Sequence, residues 1–168
     1  MKMFFILCSL FTCSLLTSMH LSAIELGEPA ISLNLDYQTT DGDIKNEDII
    51  KIEEGKKYLL LEFMSITCKY CMQNMPIIAS LEQEVSDHTT IKLVSIDRDV
   101  NKVKEFISSN QELINYSFFF DNQRLAKAQY NVIYVPSVFI IDELGMVIFK
   151  HIGVLTDEDV QKIKMILK

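Results

Sequence analysis

The sequence has little glycine or proline, 5 and 3 in 168 residues, and 49% of it is hydrophobic, which excludes a disordered or low-complexity chain. It also lacks any run of lysine or arginine. The 16 basic residues are outnumbered by 23 acidic ones, leaving a net charge of −7, so the electrostatic footprint of a nucleic-acid binder is missing and no such partner is expected. The length suits one domain with a real core and leaves no room for a second. Cysteine is scarce, with four in all, and their positions carry most of the information.

Between Met3 and Ile24 there is no charged residue, and the only earlier one is Lys2. Met3 to Leu16 is dominated by Phe, Leu, Ile and Cys, after which Thr17, Ser18, His20 and Ser22 make the stretch too polar for a good membrane span. This is the pattern of a secretory signal peptide over residues 1–23, cleaved after the small Ala23. Leu21, where a small residue is preferred, keeps an uncleaved N-terminal anchor as the alternative, and bulky Phe11 makes Cys13 a poor lipoprotein cysteine. The expected location is periplasmic or otherwise extracytoplasmic. Cys8 and Cys13 leave with the leader, so the mature domain, 24–168, holds only Cys68 and Cys71, and the loss of Lys2 takes its charge to −8.

After a turn-rich start (Gly27, Pro29, then Thr39-Thr40-Asp41-Gly42-Asp43), Tyr58 to Met64 is nearly all apolar, as suits a strand buried on both faces. Cys71, Met75, Ile78 and Val85 recur at helical spacing, predicting a helix over about Cys68 to Ser86 that contains Pro76. Further strands are expected at Ile91–Ile96 and Tyr116–Phe120, and helices at Val100–Ser109 and Asp121–Tyr130. Ser137–Ile141 and Met146–Lys150, joined by Asp142-Glu143-Leu144-Gly145, read as an antiparallel hairpin. Thr156 with Asp159 three residues on opens a last helix with a capping box. The alternation of strand and helix gives an α/β fold.

A lone Cys-Lys-Tyr-Cys can serve zinc, haem or redox chemistry. Haem attachment needs His after the second cysteine, where Met72 stands; structural zinc needs about four ligands, and His88 and His151 lie far away in sequence. A purely structural disulfide would close too small a loop to restrict the unfolded chain much. The redox reading has a physical basis: with Thr67 as N-cap, Cys68 starts a helix, where free N–H groups and the helix dipole favour a thiolate, and Lys69 adds a cation. Cys68 is then the nucleophile and Cys71, one turn on, the resolving thiol. Glu62 stands among Leu59, Leu60, Leu61, Phe63 and Met64, where burial of a carboxylate is costly; it is either buried with a purpose or set on an exposed strand edge.

Glu62 to Cys71, then Met75-Pro76, and later Val135-Pro136-Ser137 before a strand, resemble a thioredoxin-fold protein over almost the whole mature chain. Gly27-Glu28-Pro29-Ala30 upstream and Tyr130-Asn131-Val132 leading to Pro136-Ser137-Val138-Phe139-Ile140-Ile141-Asp142 are similar to the exported TlpA/ResA branch of thiol-disulfide oxidoreductases. The resemblance implies a central mixed β-sheet flanked by helices, with an N-terminal extension. It implies that Pro136, which by the residues alone suits an ordinary strand-start proline equally well, forms a cis-proline loop facing the cysteines, that Val135, Pro136, Thr67, Lys69 and Tyr70 meet the substrate, and that Glu62 is a buried acid moving protons to and from Cys71. It further implies protein disulfide or dithiol substrates, a membrane-linked electron donor, a monomer, and no cofactor or bound metal.

The resemblance to the TlpA/ResA branch implies reductase chemistry, as in cytochrome c maturation, over oxidase chemistry, since DsbA-type oxidases carry a helical insertion for which Ile91 to Pro136 is too short. The chain departs from the branch at Thr67, where Trp is usual, at Lys69-Tyr70 in place of Glu-Pro, and at Asn74 in place of a Glu, which loosens the tie to cytochrome c maturation. The Pro-x-x-x-Thr-x-x-Cys pattern of peroxiredoxins is absent around Cys68. The rival from another class is a copper-binding or copper-delivering module, because Met64, Met72 and Met75 cluster near two thiols; core packing is the plainer role for them.

Overall fold

The structure is a computed structural model describing residues 24–39, 41–110 and 116–168. The leader therefore lies outside the described residues. In chain order the elements are β1 (Asn34–Gln38), β2 (Ile44–Asp48), β3 (Tyr58–Met64), α1 (Lys69–Val85), β4 (Thr89–Ser95), α2 (Val100–Ser109), β5 (Ser117–Phe120), α3 (Leu125–Gln129), β6 (Ser137–Ile141), β7 (Val147–Ile152) and α4 (Asp157–Ile166). Among the described residues the strands form one mixed sheet ordered β2-β1-β5-β4-β3-β6-β7. The three strands β3, β4 and β5 run parallel, while β6 pairs antiparallel with β3 and with β7.

The apolar run of β3 follows from its place between β4 and β6, with helices over one face and α3 and the N-terminal segment over the other. Side chains alternate across a strand. Leu60 and Met64 join Ile78, Leu81, Val103, Ile107 and Ile163 on the side of α1, α2 and α4. Leu59, Leu61 and Phe63 meet Tyr130, Phe139, Ile24 and Ile49 on the opposite side. The sheet is thus covered twice, as a parallel core requires.

Several elements differ from the sequence reading, β4 among them, which runs Thr89–Ser95 rather than Ile91–Ile96. The turn-rich start is a β-hairpin: β1 pairs with both β2 and β5, and Gly42 supplies the left-handed residue (φ 86°) in its turn. Buried Lys92 fastens the hairpin, donating to Glu47 Oε1 and to the Asp48 carbonyl, both at 3.0 Å, and Tyr37 stacks on Phe119 at 4.8 Å. α3 is shorter than Asp121–Tyr130, because Arg124 is left-handed (φ 59°) and the Asp121 carboxylate accepts the N–H groups of Ala126 and Lys127. β7 starts one residue later and runs to Ile152. The capping box of α4 forms, with Thr156 Oγ1 accepting from Asp159 N–H and Asp159 Oδ2 accepting from Thr156 N–H. No helix among the described residues is long and apolar enough to cross a membrane.

Candidate active site

The C-terminal ends of β3 and β4 lie side by side because the two strands are parallel neighbours with Met64 level with Ser95. The loop leaving β3 is held by a residue just beyond β4. Asp97 accepts hydrogen bonds from Ser65 Oγ (2.7 Å), Ile66 N–H (2.9 Å) and Ser95 Oγ (2.8 Å). Ser65 Oγ in turn accepts Thr67 N–H, and Ser65 carbonyl accepts Cys68 N–H. Asp97, Ser65 and Ser95 escaped the sequence reading, although ligand sites of α/β sheets gather at the carboxyl ends of parallel strands, which was the signal available.

Cys68 itself, and not Thr67, is the N-cap of α1. Its backbone is extended (φ −89°, ψ 114°), which turns the sulfur over the first helical turn, where Sγ accepts Cys71 N–H at 3.4 Å. A hydroxyl cap is unnecessary once the sulfur occupies that place, and Thr67 Oγ1 instead lies 3.1 Å from Ser65 Oγ. As a thiol, Cys68 Sγ also donates to Val135 carbonyl at 3.4 Å. The Val135–Pro136 peptide bond is cis. Pro136 carbonyl accepts Gly153 N–H, and Tyr134 carbonyl accepts Ser137 Oγ, so the loop before β6 is tied on both sides.

Both cysteines are free thiols, Cys68 half-buried and Cys71 fully buried. Burial pushes the Cys71 thiol far above its ordinary range, and the neighbouring Cys68 and Glu62 push it the same way. Glu62 is 1% exposed, which removes the strand-edge alternative. Its desolvation raises its pKa to about 8, while the nearby Asn74 amide works in the opposite direction. Neither Glu62 oxygen reaches a hydrogen-bond partner among the described residues. Lys69 and Tyr70 are exposed on the same surface, and Ile133 and Tyr134, which the sequence reading did not single out, add two exposed apolar side chains next to Val135.

The structure thus brings Cys68, Cys71, Glu62, Thr67, Val135 and Pro136 to one end of the sheet. Met64 is fully buried in the core, and Met72 and Met75 line a groove of about 500 Å3 with Phe106 and Tyr116. Among the described residues no group of three or more His, Cys, Asp or Glu side chains is placed so that it could hold a metal ion.

The Redoxin family profile matches residues 26–167. The chain belongs to the Redoxin family. Within it, this Redoxin chain is a thiol-disulfide oxidoreductase of TlpA/ResA-like, thioredoxin fold. It is 29% identical over 112 residues to the thioredoxin-like protein YneN of Bacillus subtilis, covering 65% of this chain and 64% of that protein's length. It is 26% identical over 123 residues to sporulation thiol-disulfide oxidoreductase A of the same organism, covering 71% and 73%. Among solved structures, a thiol:disulfide interchange protein DsbE from Chlorobium tepidum superposes with a TM-score of 0.70 at 19% identity, covering 86% of this chain and 97% of that one, a likeness of fold alone.

Proposed function

We propose that the mature chain, residues 24–168, is an exported, monomeric disulfide reductase of extracytoplasmic proteins, recharged by a membrane-linked dithiol donor, with cytochrome c maturation as one setting for it. The observation that carries the redox roles is the environment of the two sulfurs. Cys68 Sγ sits at the mouth of α1 within reach of Val135 carbonyl, while Cys71 is buried behind it. The Cys68 thiolate attacks a substrate disulfide, forming a mixed disulfide and releasing one substrate thiolate. Cys71 passes its proton to the Glu62 carboxylate and attacks Cys68 sulfur; the bond between Cys68 and the substrate breaks, and its electron pair leaves with the second substrate sulfur. The pair has lost two electrons and the substrate has gained them.

An extended substrate segment would lie along Val135 and Pro136, with Thr67, Lys69 and Tyr70 around it. The reductase direction is supported by the short stretch between β4 and β6, whose described residues hold only α2, β5 and the five-residue α3. Export is supported by the leader, which carries Lys2 and then no charge from Met3 to Ile24. The deciding measurement is the midpoint potential of the Cys68/Cys71 pair together with its redox state trapped in cells. A reductase is expected to lie near or below the thioredoxin value of about −270 mV and to be found as the dithiol. A potential near about −120 mV with the disulfide form dominant would make the protein an oxidase. Cys71→Ser should accumulate mixed disulfides with substrates, and Cys68→Ser should not.

A further inference from the structure

Asn74 is fully buried one turn beyond Cys71 on α1, and its two ends are treated differently. Its Oδ1 accepts Leu155 N–H at 2.9 Å. A backbone N–H can only donate, so this bond dictates which end of the amide is oxygen. Nδ2 is left with no hydrogen-bond partner among the described residues, and so are both oxygens of the neighbouring Glu62 carboxylate. A buried donor and a buried acceptor without other partners each cost free energy until they meet.

We propose that Asn74 is a positioning residue for the resolving step: Leu155 orients its amide so that only an N–H faces Glu62, which holds the carboxylate ready to take the Cys71 proton. The inference rests on the role given to Glu62 above. The loop that orients Asn74 also touches the substrate side, because Gly153 N–H donates to Pro136 carbonyl. One short segment, Gly153 to Leu155, thereby spans the proline loop and the cysteine helix.

The surroundings of Glu62 leave few other groups to do this. Its strand neighbours across the sheet are Leu93 on β4 and Val138 on β6, both apolar. Cys71 and Tyr116 both sense its charge, and Tyr116 is itself pushed up by burial and by Glu82. Glu82, on the same helix as Asn74, acts on Tyr116 more strongly than Glu62 does. The Asn74 amide is thus the donor available to the carboxylate, consistent with its lowering influence there. Hydrogen bonding to the charged form of an acid favours that form.

The test follows the reduced protein mixed with Ellman's reagent in a stopped-flow instrument. The first thionitrobenzoate released reports attack by Cys68, and the second reports resolution by Cys71. In the parent, the second rate is expected to rise with pH through an inflection near 8, and Glu62→Gln to abolish that inflection. Asn74→Leu should move it upward by about one pH unit, because the carboxylate loses its donor. Should Asn74→Leu fail to fold, Asn74→Ala decides: it removes the same donor with no new charge and less bulk, and should move the inflection the same way. A purely structural role for Asn74 would change stability or overall rate and leave the inflection in place. An inflection that survives Glu62→Gln overturns the Glu62 reading. One that vanishes in Glu62→Gln yet stays at the parental pH in the folded Asn74 variants overturns the role of Asn74 alone.

Discussion

The sulfur of Cys68 lies 3.4 Å from the carbonyl oxygen of Val135, although 67 residues separate the two in the chain. The contact joins the start of α1 to the loop before β6, and β3, paired with β6, supplies the rigid floor between them. A nucleophile and the edge along which a substrate can lie are therefore placed by the sheet rather than by a flexible loop.

Differential labelling tests the assigned thiol roles. In the reduced protein at neutral pH, iodoacetamide should modify Cys68 and leave Cys71 essentially untouched, because Cys71 is fully buried and its thiol is pushed upward. Peptide mapping by mass spectrometry reads the ratio. Equal labelling, or faster labelling at Cys71, would reverse the roles.

Glu62 should make stability depend on pH in a direction unusual for a carboxylate. Its folded pKa, about 8, is above its ordinary 4.5, so the native state binds the proton more tightly than the unfolded chain. Stability is then fullest below the unfolded value and is lost as pH rises through the folded one. Glu62→Gln should remove this loss, stabilising the reduced protein at pH 9 by on the order of 5 kcal/mol and much less at pH 5. Urea unfolding at the two pH values measures it, and an equal effect at both would show that the carboxylate is not desolvated in solution.

Asp97→Ala should loosen the loop that carries Cys68. It leaves the Ile66 N–H, Ser65 hydroxyl and Ser95 hydroxyl without their common acceptor, at a cost of about 1–3 kcal/mol. Unfolding free energy should fall by that amount, and disulfide exchange at Cys68 should slow. A variant with parental stability and exchange rate would remove Asp97 from the site's support.

The leader should be removed after Ala23, giving a mature protein that begins at Ile24. Intact mass of the protein recovered from outside the cytoplasm checks this. A chain still carrying residues 1–23 would make the segment an anchor.

Local chemistry by itself determined a good part of this protein. The apolar run Tyr58–Met64, the helix Val100–Ser109 and the Thr156/Asp159 capping box are written in neighbouring residues, and each appears in the structure where the sequence places it. The cysteine pair after a buried strand is equally local. The β1–β2 hairpin is not, because most of β2 is solvent-exposed and polar, and the strand exists only through its partner β1, which is itself paired with β5. Glu62 could have stood on a strand edge, and only its position between β4 and β6 under α1 made it a buried acid. The contacts of Asp97 with Ser65, of Asn74 with Leu155, and of Val135 with Cys68 join segments distant in sequence, so they arise only when the parallel strands bring their carboxyl ends together. Propensity and periodicity act over a few residues, whereas burial and partner choice are properties of the packed sheet.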